Sequence, residues 1–287
     1  MQEVETTPAL CMPVLMQKPN MTETMLPNET IVAPAYQHIN QNDPKLLNDP
    51  YFGEALKQTD SGICWAASLA MCVSAHTQVP SSSLLSVIGR FAYEIFPKHF
   101  AEIQDDVRQV YGENTSLPFI QEGLLSMFSD NGGLNTHFLR NYPAQTEAFL
   151  KHIFNDSLGL GIGISIPPRL VGLHNSPEDL INELLQLQHS RTCVIGVNVE
   201  RYSQGKQKTF NHMVYVSGIE KVGGQLHAIR VSDPNHDEAF WLSGENLGSF
   251  TVGYGVCTAT SDETTYILRS NPTPLIWIES GHPVALA

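Results

Sequence analysis

Gln58-Thr59-Asp60-Ser61-Gly62-Ile63-Cys64-Trp65-Ala66-Ala67 is the stretch on which the reading of this chain turns. From Cys64 onward Trp65, Leu69, Cys72, Val73 and His76 recur at steps of three and four, and Pro80 bounds the run. That spacing predicts a helix opening at Cys64. A thiol at a helix start lies in the partial positive charge of unpaired N–H groups, which favours its thiolate. Gly62 suits a tight backbone approach. Gln58, six residues before the thiol, is placed to bring an amide N–H₂ beside it, and with the Cys64 backbone N–H it would form an oxyanion hole. A lone cysteine is ordinarily a small buried hydrophobe. Here its company argues otherwise: Gln at −6 and Trp at +1 around any of five cysteines arises by chance about once in a few hundred chains of average usage.

Working outward, Ser81, Ser82 and Ser83 offer an N-cap before Leu84, Leu85, Ile88, Phe91 and Ile95. Helices are also expected over 118–128, 144–154 and 177–188, the last with Pro177 at its start and Glu178 and Asp179 at the positive end of its dipole. The pattern then changes. β-Branched runs at 192–199 and 212–219, a Gly223-Gly224 turn, and runs at 226–232 and 238–242 predict successive antiparallel strands. Segments 252–260 and 266–268 are expected as further edge strands. Helices followed by strands give an α+β fold. Residues 1–46, rich in Pro, Thr, Asn and Gln without a period, are expected to be a flexible leader. Residues 47–270 then form one domain, helical over 64–190 and β over 191–270, and 271–287 is a C-terminal tail.

A cysteine nucleophile needs a base, and the base needs an orienting partner. His212 opens one predicted strand, about 150 residues beyond Cys64. If Gly223-Gly224 makes the turn, His212 faces Asn235; if Val222-Gly223 does, it faces Asp233. Strand side chains alternate with period two, so Asp233 and Asn235 share a face in either register, and both are candidates to hold the imidazole.

The segment around Cys64 resembles the active-site segment of papain-like cysteine peptidases, Gln-x-x-Cys-Gly-x-Cys-Trp-Ala, at Gln58, Gly62, Cys64, Trp65 and Ala66. Ser61 stands where papain and cathepsin members carry a disulfide cysteine. The order His strand, Gly hairpin, strand, Asp233-Pro234 resembles the bacterial branch containing the bacteriocin-processing double-glycine peptidases. There the third residue is the Asp of an Asp-Pro pair, so the resemblance favours Asp233. The Ser-Trp that should follow a papain-type Asn is missing after Asn235.

The resemblance covers about residues 50–245. It implies a papain-like fold and a thiol hydrolase that cleaves peptide or isopeptide bonds through Cys64, His212 and Asp233, with Gln58 at the oxyanion. The same triad can deamidate protein glutamine or transfer acyl groups, chemistry that suits a bacterial effector, and an inactive binding module of the same fold is the further alternative.

Composition bounds the partners. A hydrophobic fraction of 42% supports a real core, and a formal charge of −13 repels phosphate backbones and anionic lipid. A protein or peptide substrate is expected, with no nucleic acid and no membrane. The five cysteines include no Cys-x-x-Cys, and no His-Glu-x-x-His occurs, so neither a metal nor another cofactor is expected. The missing disulfide cysteine and the absence of a secretory signal pattern suit a cytoplasmic protein, or one exported without such a signal. Cys72, Cys193 and Trp241 read as core.

Overall fold

The computed structural model describes residues 28–51, 63–91, 143–167, 177–203, 206–243, 256–261, 264–269 and 275–281. In chain order these form β1 (Glu29–Val32), α1 (Cys64–Thr77), α2 (Ser81–Arg90), α3 (Pro143–Lys151), β2 (Gly163–Ser165), α4 (Pro177–Leu184), β3 (Arg191–Ser203), β4 (Lys206–Val222), β5 (Gln225–Ser232), β6 (Phe240–Ser243), β7 (Val256–Ser261), β8 (Thr264–Arg269) and β9 (Leu275–Glu279). A 3-10 turn covers Pro44–Asn48 and a π turn, His152–Asp156, prolongs α3. The expected helix over 118–128 lies outside the described residues. Helices and an antiparallel sheet together make the α+β class anticipated from the pattern.

The sheet is built on the long β3–β4 hairpin. Its main order is β2-β9-β3-β4-β5-β6, with β8 also on β3, β7 on β8 and β1 on β4. β3 pairs with β4 as far as Cys193 with Val216, and β1 then takes over that edge, Val32 opposite Gly218 and Glu29 opposite Lys221. Only glycine fits at 218, because a Cβ there would stand 2.7 Å from the Ile31 carbonyl oxygen.

Side chains alternate across the sheet as the pleat requires. Val194, Met213, Tyr215, Ile276 and Ile278 pack into one core with α1, α2 and α3. Cys193, Ile195, Val214, Val216, Ile229 and Trp277 pack into a second core with Leu180 and Leu184 of α4. α1 is apolar on every face and is buried from Cys64 to Ala75, as such a helix must be.

Three boundaries need correction. The expected leader includes part of the sheet: β1 is one of its strands, with Ile31 in the second core. The stretch 64–190 is not one helical layer, since β2 inside it pairs with β9 and α4 lies on the other face of the sheet from α1. The expected tail contributes β9, which sits between β2 and β3 with Ile276, Trp277 and Ile278 fully buried. Its five apolar-rich residues were too short a run to be told from a tail by periodicity. Among the described residues, no helix is long and apolar enough to cross a membrane.

Candidate active site

α1 begins at Cys64 itself. The preceding Ile63 supplies no side-chain cap, so the positive end of the helix is left to the thiol. The helix start is fixed against β4 through one residue. β5 pairs with β4 no further than Ser232 with Tyr215, and the next backbone groups along that strand go to α1 instead. The Met213 C=O accepts from Ser68 Oγ at 2.9 Å, and the Met213 N–H donates to the Cys64 sulfur. Ser68 is one helical turn beyond Cys64, so a single β4 residue holds both the turn and the thiol. His212 is the adjacent residue. It lies within β4, opposite Val197, and not at the strand's mouth as the sequence suggested. The apolar, β-branched run follows the histidine, whereas backbone pairing continues through the mostly polar residues before it.

The hairpin turns at Gly223-Gly224, with φ of +58° and +80°, the left-handed values that a two-residue turn of this kind requires. Two irregularities interrupt the β4–β5 ladder, at Val216/Gly218 and at Glu220/Lys221. The first gives β4 an extra residue at Ser217 and the second gives β5 an extra residue at His227. They cancel, so Tyr215 meets Ser232 in the register the turn alone would set. This is why the pairing argument still delivers the right residues to His212.

Asp233 and Asn235 both reach the imidazole, and unequally. Asp233 Oδ1 is 2.6 Å from His212 Nε2 and also accepts the Asn235 backbone N–H at 2.7 Å. The Asn235 side-chain amide stands 3.2 Å from the same Nε2. With Nε2 committed to Asp233, the other ring nitrogen is left for Cys64, to which His212 is hydrogen-bonded. Cys64 is 9% exposed, His212 4% and Asp233 1%, so the three form a nearly dry chain whose most accessible member is the cysteine.

Charge in this setting decides protonation. Burial pushes the Cys64 thiol up, but the charge and hydrogen bond of His212 and the Met213 N–H outweigh it against the opposing charge of Asp233. The net direction is down. For His212, burial pushes the imidazole down, and the charges of Asp233 and Cys64 with their hydrogen bonds raise it to about 10. Both directions favour a thiolate–imidazolium pair.

Cys72 and Cys193 are fully buried, as expected of core cysteines. Trp241 is not core: it stands 43% exposed on β6, opposite Arg230. Gln58 and Gly62 lie outside the described residues. Among the described residues, no group of three or more His, Cys, Asp or Glu side chains is arranged to hold a metal ion. The sequence reading missed Met213, which acts through backbone groups that carry no side-chain signature, and Ser68, whose hydroxyl donates to the Met213 carbonyl. No protein-family model and no curated protein matches this chain.

Proposed function

We propose that this chain is a papain-like thiol hydrolase that cleaves peptide or isopeptide bonds through Cys64, His212 and Asp233. One observation carries the reading: α1, β4 and the turn after β5 bring these three side chains into a single hydrogen-bonded line whose charges favour a thiolate. The uncapped helix start adds to that preference. The Cys64 thiolate attacks the substrate carbonyl carbon. The oxyanion is stabilised by the Cys64 backbone N–H and, by the resemblance, by Gln58. His212 gives its Cys64-facing proton to the leaving amine, leaving an acyl-enzyme. Water, deprotonated by His212, then attacks the thioester, and the thiolate leaves to restore the ion pair. Asp233 holds the ring by Nε2 throughout and stabilises its positive charge.

The test is incubation of the protein with mixed peptide and isopeptide substrates, scoring new N-termini and released ammonia against Cys64→Ala. New N-termini or released amines that vanish in Cys64→Ala are expected. Ammonia without new N-termini would replace hydrolysis of the chain by glutamine deamidation. An inert protein whose Cys64 reacts like an ordinary thiol would leave the binding-module reading.

A further inference from the structure

The segment before α1 crosses the molecule beside the catalytic turn and grips it residue by residue. The Tyr36 hydroxyl is hydrogen-bonded to Ser232 Oγ. The Gln41 N–H donates to the Pro234 carbonyl at 2.7 Å, and Gln41 Nε2 donates to Asn235 Oδ1, an orientation that leaves the Asn235 N–H₂ towards His212 Nε2. His38 Nε2 donates to the His236 carbonyl at 2.9 Å, and Asn40 Nδ2 donates to Asp237 Oδ1 at 2.7 Å. From Ser232 to Asp237, every residue except Asp233 is thus held by the segment 36–41, and Asp233 is the one that holds His212. The segment is itself anchored, ahead of its start and along its length. β1 is paired into the sheet, the Ile39 N–H lies 3.3 Å from Met71 Sδ of α1, and the Gln37 carbonyl accepts from Ser81 Oγ of α2 at 2.7 Å.

Resting on the reading above, we infer that residues 36–41 are a brace for the catalytic turn and that Gln41 is a positioning residue for His212, acting through Asn235. The chemistry of the amides gives the linkage a direction. An imidazolium Nε2 carries a proton, so the Asn235 amide meets it favourably only with its oxygen turned inward. That turn aims the Asn235 N–H₂ at Gln41, which must answer with Oε1. The two amides therefore turn as a pair. Without the Gln41 side chain the Asn235 amide loses its outer partner, and the Asp233–Asn235 turn keeps only the main-chain tie from residue 41 to the Pro234 carbonyl. The imidazolium is then less well fixed against Cys64, and the thiol pKa moves back toward its ordinary value.

The experiment measures the alkylation rate of Cys64 by iodoacetamide from pH 5 to 9, read by peptide mass spectrometry. It compares the full chain with Gln41→Ala, Gln41→Glu and Asn40→Ala, with folding checked by circular dichroism. Below neutrality, Gln41→Ala is expected to react about ten-fold more slowly, with its acid limb displaced upward by about one pH unit, since thiolate fraction changes ten-fold per unit. Gln41→Glu, which keeps an acceptor facing Asn235, is expected to recover most of the rate. Asn40→Ala, a lighter cut in the same brace, is expected to shift the limb in the same direction by less. A folded Gln41→Ala with the wild-type rate and limb overturns the brace and leaves the catalytic reading standing. If Gln41→Ala fails to fold, an unshifted Asn40→Ala overturns it equally. A wild-type Cys64 no faster than an ordinary thiol at pH 6 removes both readings.

Discussion

At one end of α1 Cys64 meets His212; towards the other, Cys72, two turns on, and His76, a further turn on, share the hydroxyl of Thr192, at 3.4 Å and 2.7 Å. Both cysteines are buried on the same helix, and each has a histidine within reach of its environment. Cys64 is lowered, whereas burial pushes Cys72 up to about 12. His212 is raised, whereas burial drops His76 to about 4. The difference is not the histidine. It is the carboxylate behind it: Asp233 keeps His212 charged in a dry site, while among the described residues His76 is hydrogen-bonded to the hydroxyls of Thr192 and Ser280 and stays neutral. A neutral imidazole gives a buried thiol nothing to offset desolvation. Helix polarity acts in the same sense, since the positive end lies at Cys64 and the negative end near His76.

The comparison breaks most completely if His212 is removed. In His212→Ala, burial and the charge of Asp233 both act against the thiolate, so Cys64 becomes like Cys72. Its alkylation rate at pH 6 should fall on the order of 100-fold or more, measured by peptide mass spectrometry.

Asp233→Asn cuts the carboxylate and leaves a side chain of similar shape, so His212 becomes like His76. Turnover of any substrate found for the wild type should fall, and its pH profile should lose its upper reach. In the wild type the active form appears as pH rises through the lowered Cys64 pKa and is lost as pH rises through the raised His212 pKa, about 10. In Asp233→Asn the upper limb should move down, because the carboxylate no longer holds the imidazolium. The lower limb should not rise, because the charge that opposes the thiolate is gone; the bell is cut from its alkaline side.

The smallest effects sharpen the other end. Because the folded-state pKa of His76 lies below its unfolded value of about 6.5, the unfolded chain binds an extra proton between the two, and stability falls as pH drops from about 6.5 toward 4. His76→Gln should flatten that part of the stability profile in urea titrations. Thr192→Val, which strips the shared hydroxyl from His76, Cys72 and Tyr215, should cost about 1–3 kcal/mol. Neither change should alter Cys64 labelling.

How much of this was legible in the sequence follows from which interactions leave a mark on residue type. The helix that opens at Cys64 was readable because three- and four-residue steps and Pro80 frame it. The Asp233 and Asn235 candidates were readable because alternation survives as long as bulges come in cancelling pairs, as they do at Ser217 and His227. β1 and β9 were not readable: four or five residues set no period, and their strand character comes from the partner edges at 218–221 and 191–195. The brace at 36–41 was read as leader because its ties run through Asn, Gln and backbone groups, the composition that also marks flexible chain. Met213 was invisible for a related reason, since a strand's backbone groups are the same whatever the residue, and with it went the partner of the Ser68 hydroxyl.

The central claim is that Cys64 and His212 form an ion pair at neutral pH, and ultraviolet thiolate absorbance tests it most directly. The absorbance of wild type less that of Cys64→Ala would be titrated from pH 4 to 10, beside the same difference in a His212→Ala background. The account predicts a thiolate already present at pH 7 in the wild type, lost only as pH falls well below neutrality, and absent at pH 7 without His212. A thiolate that appears only above pH 8 in the wild type, or one indifferent to His212, would contradict it.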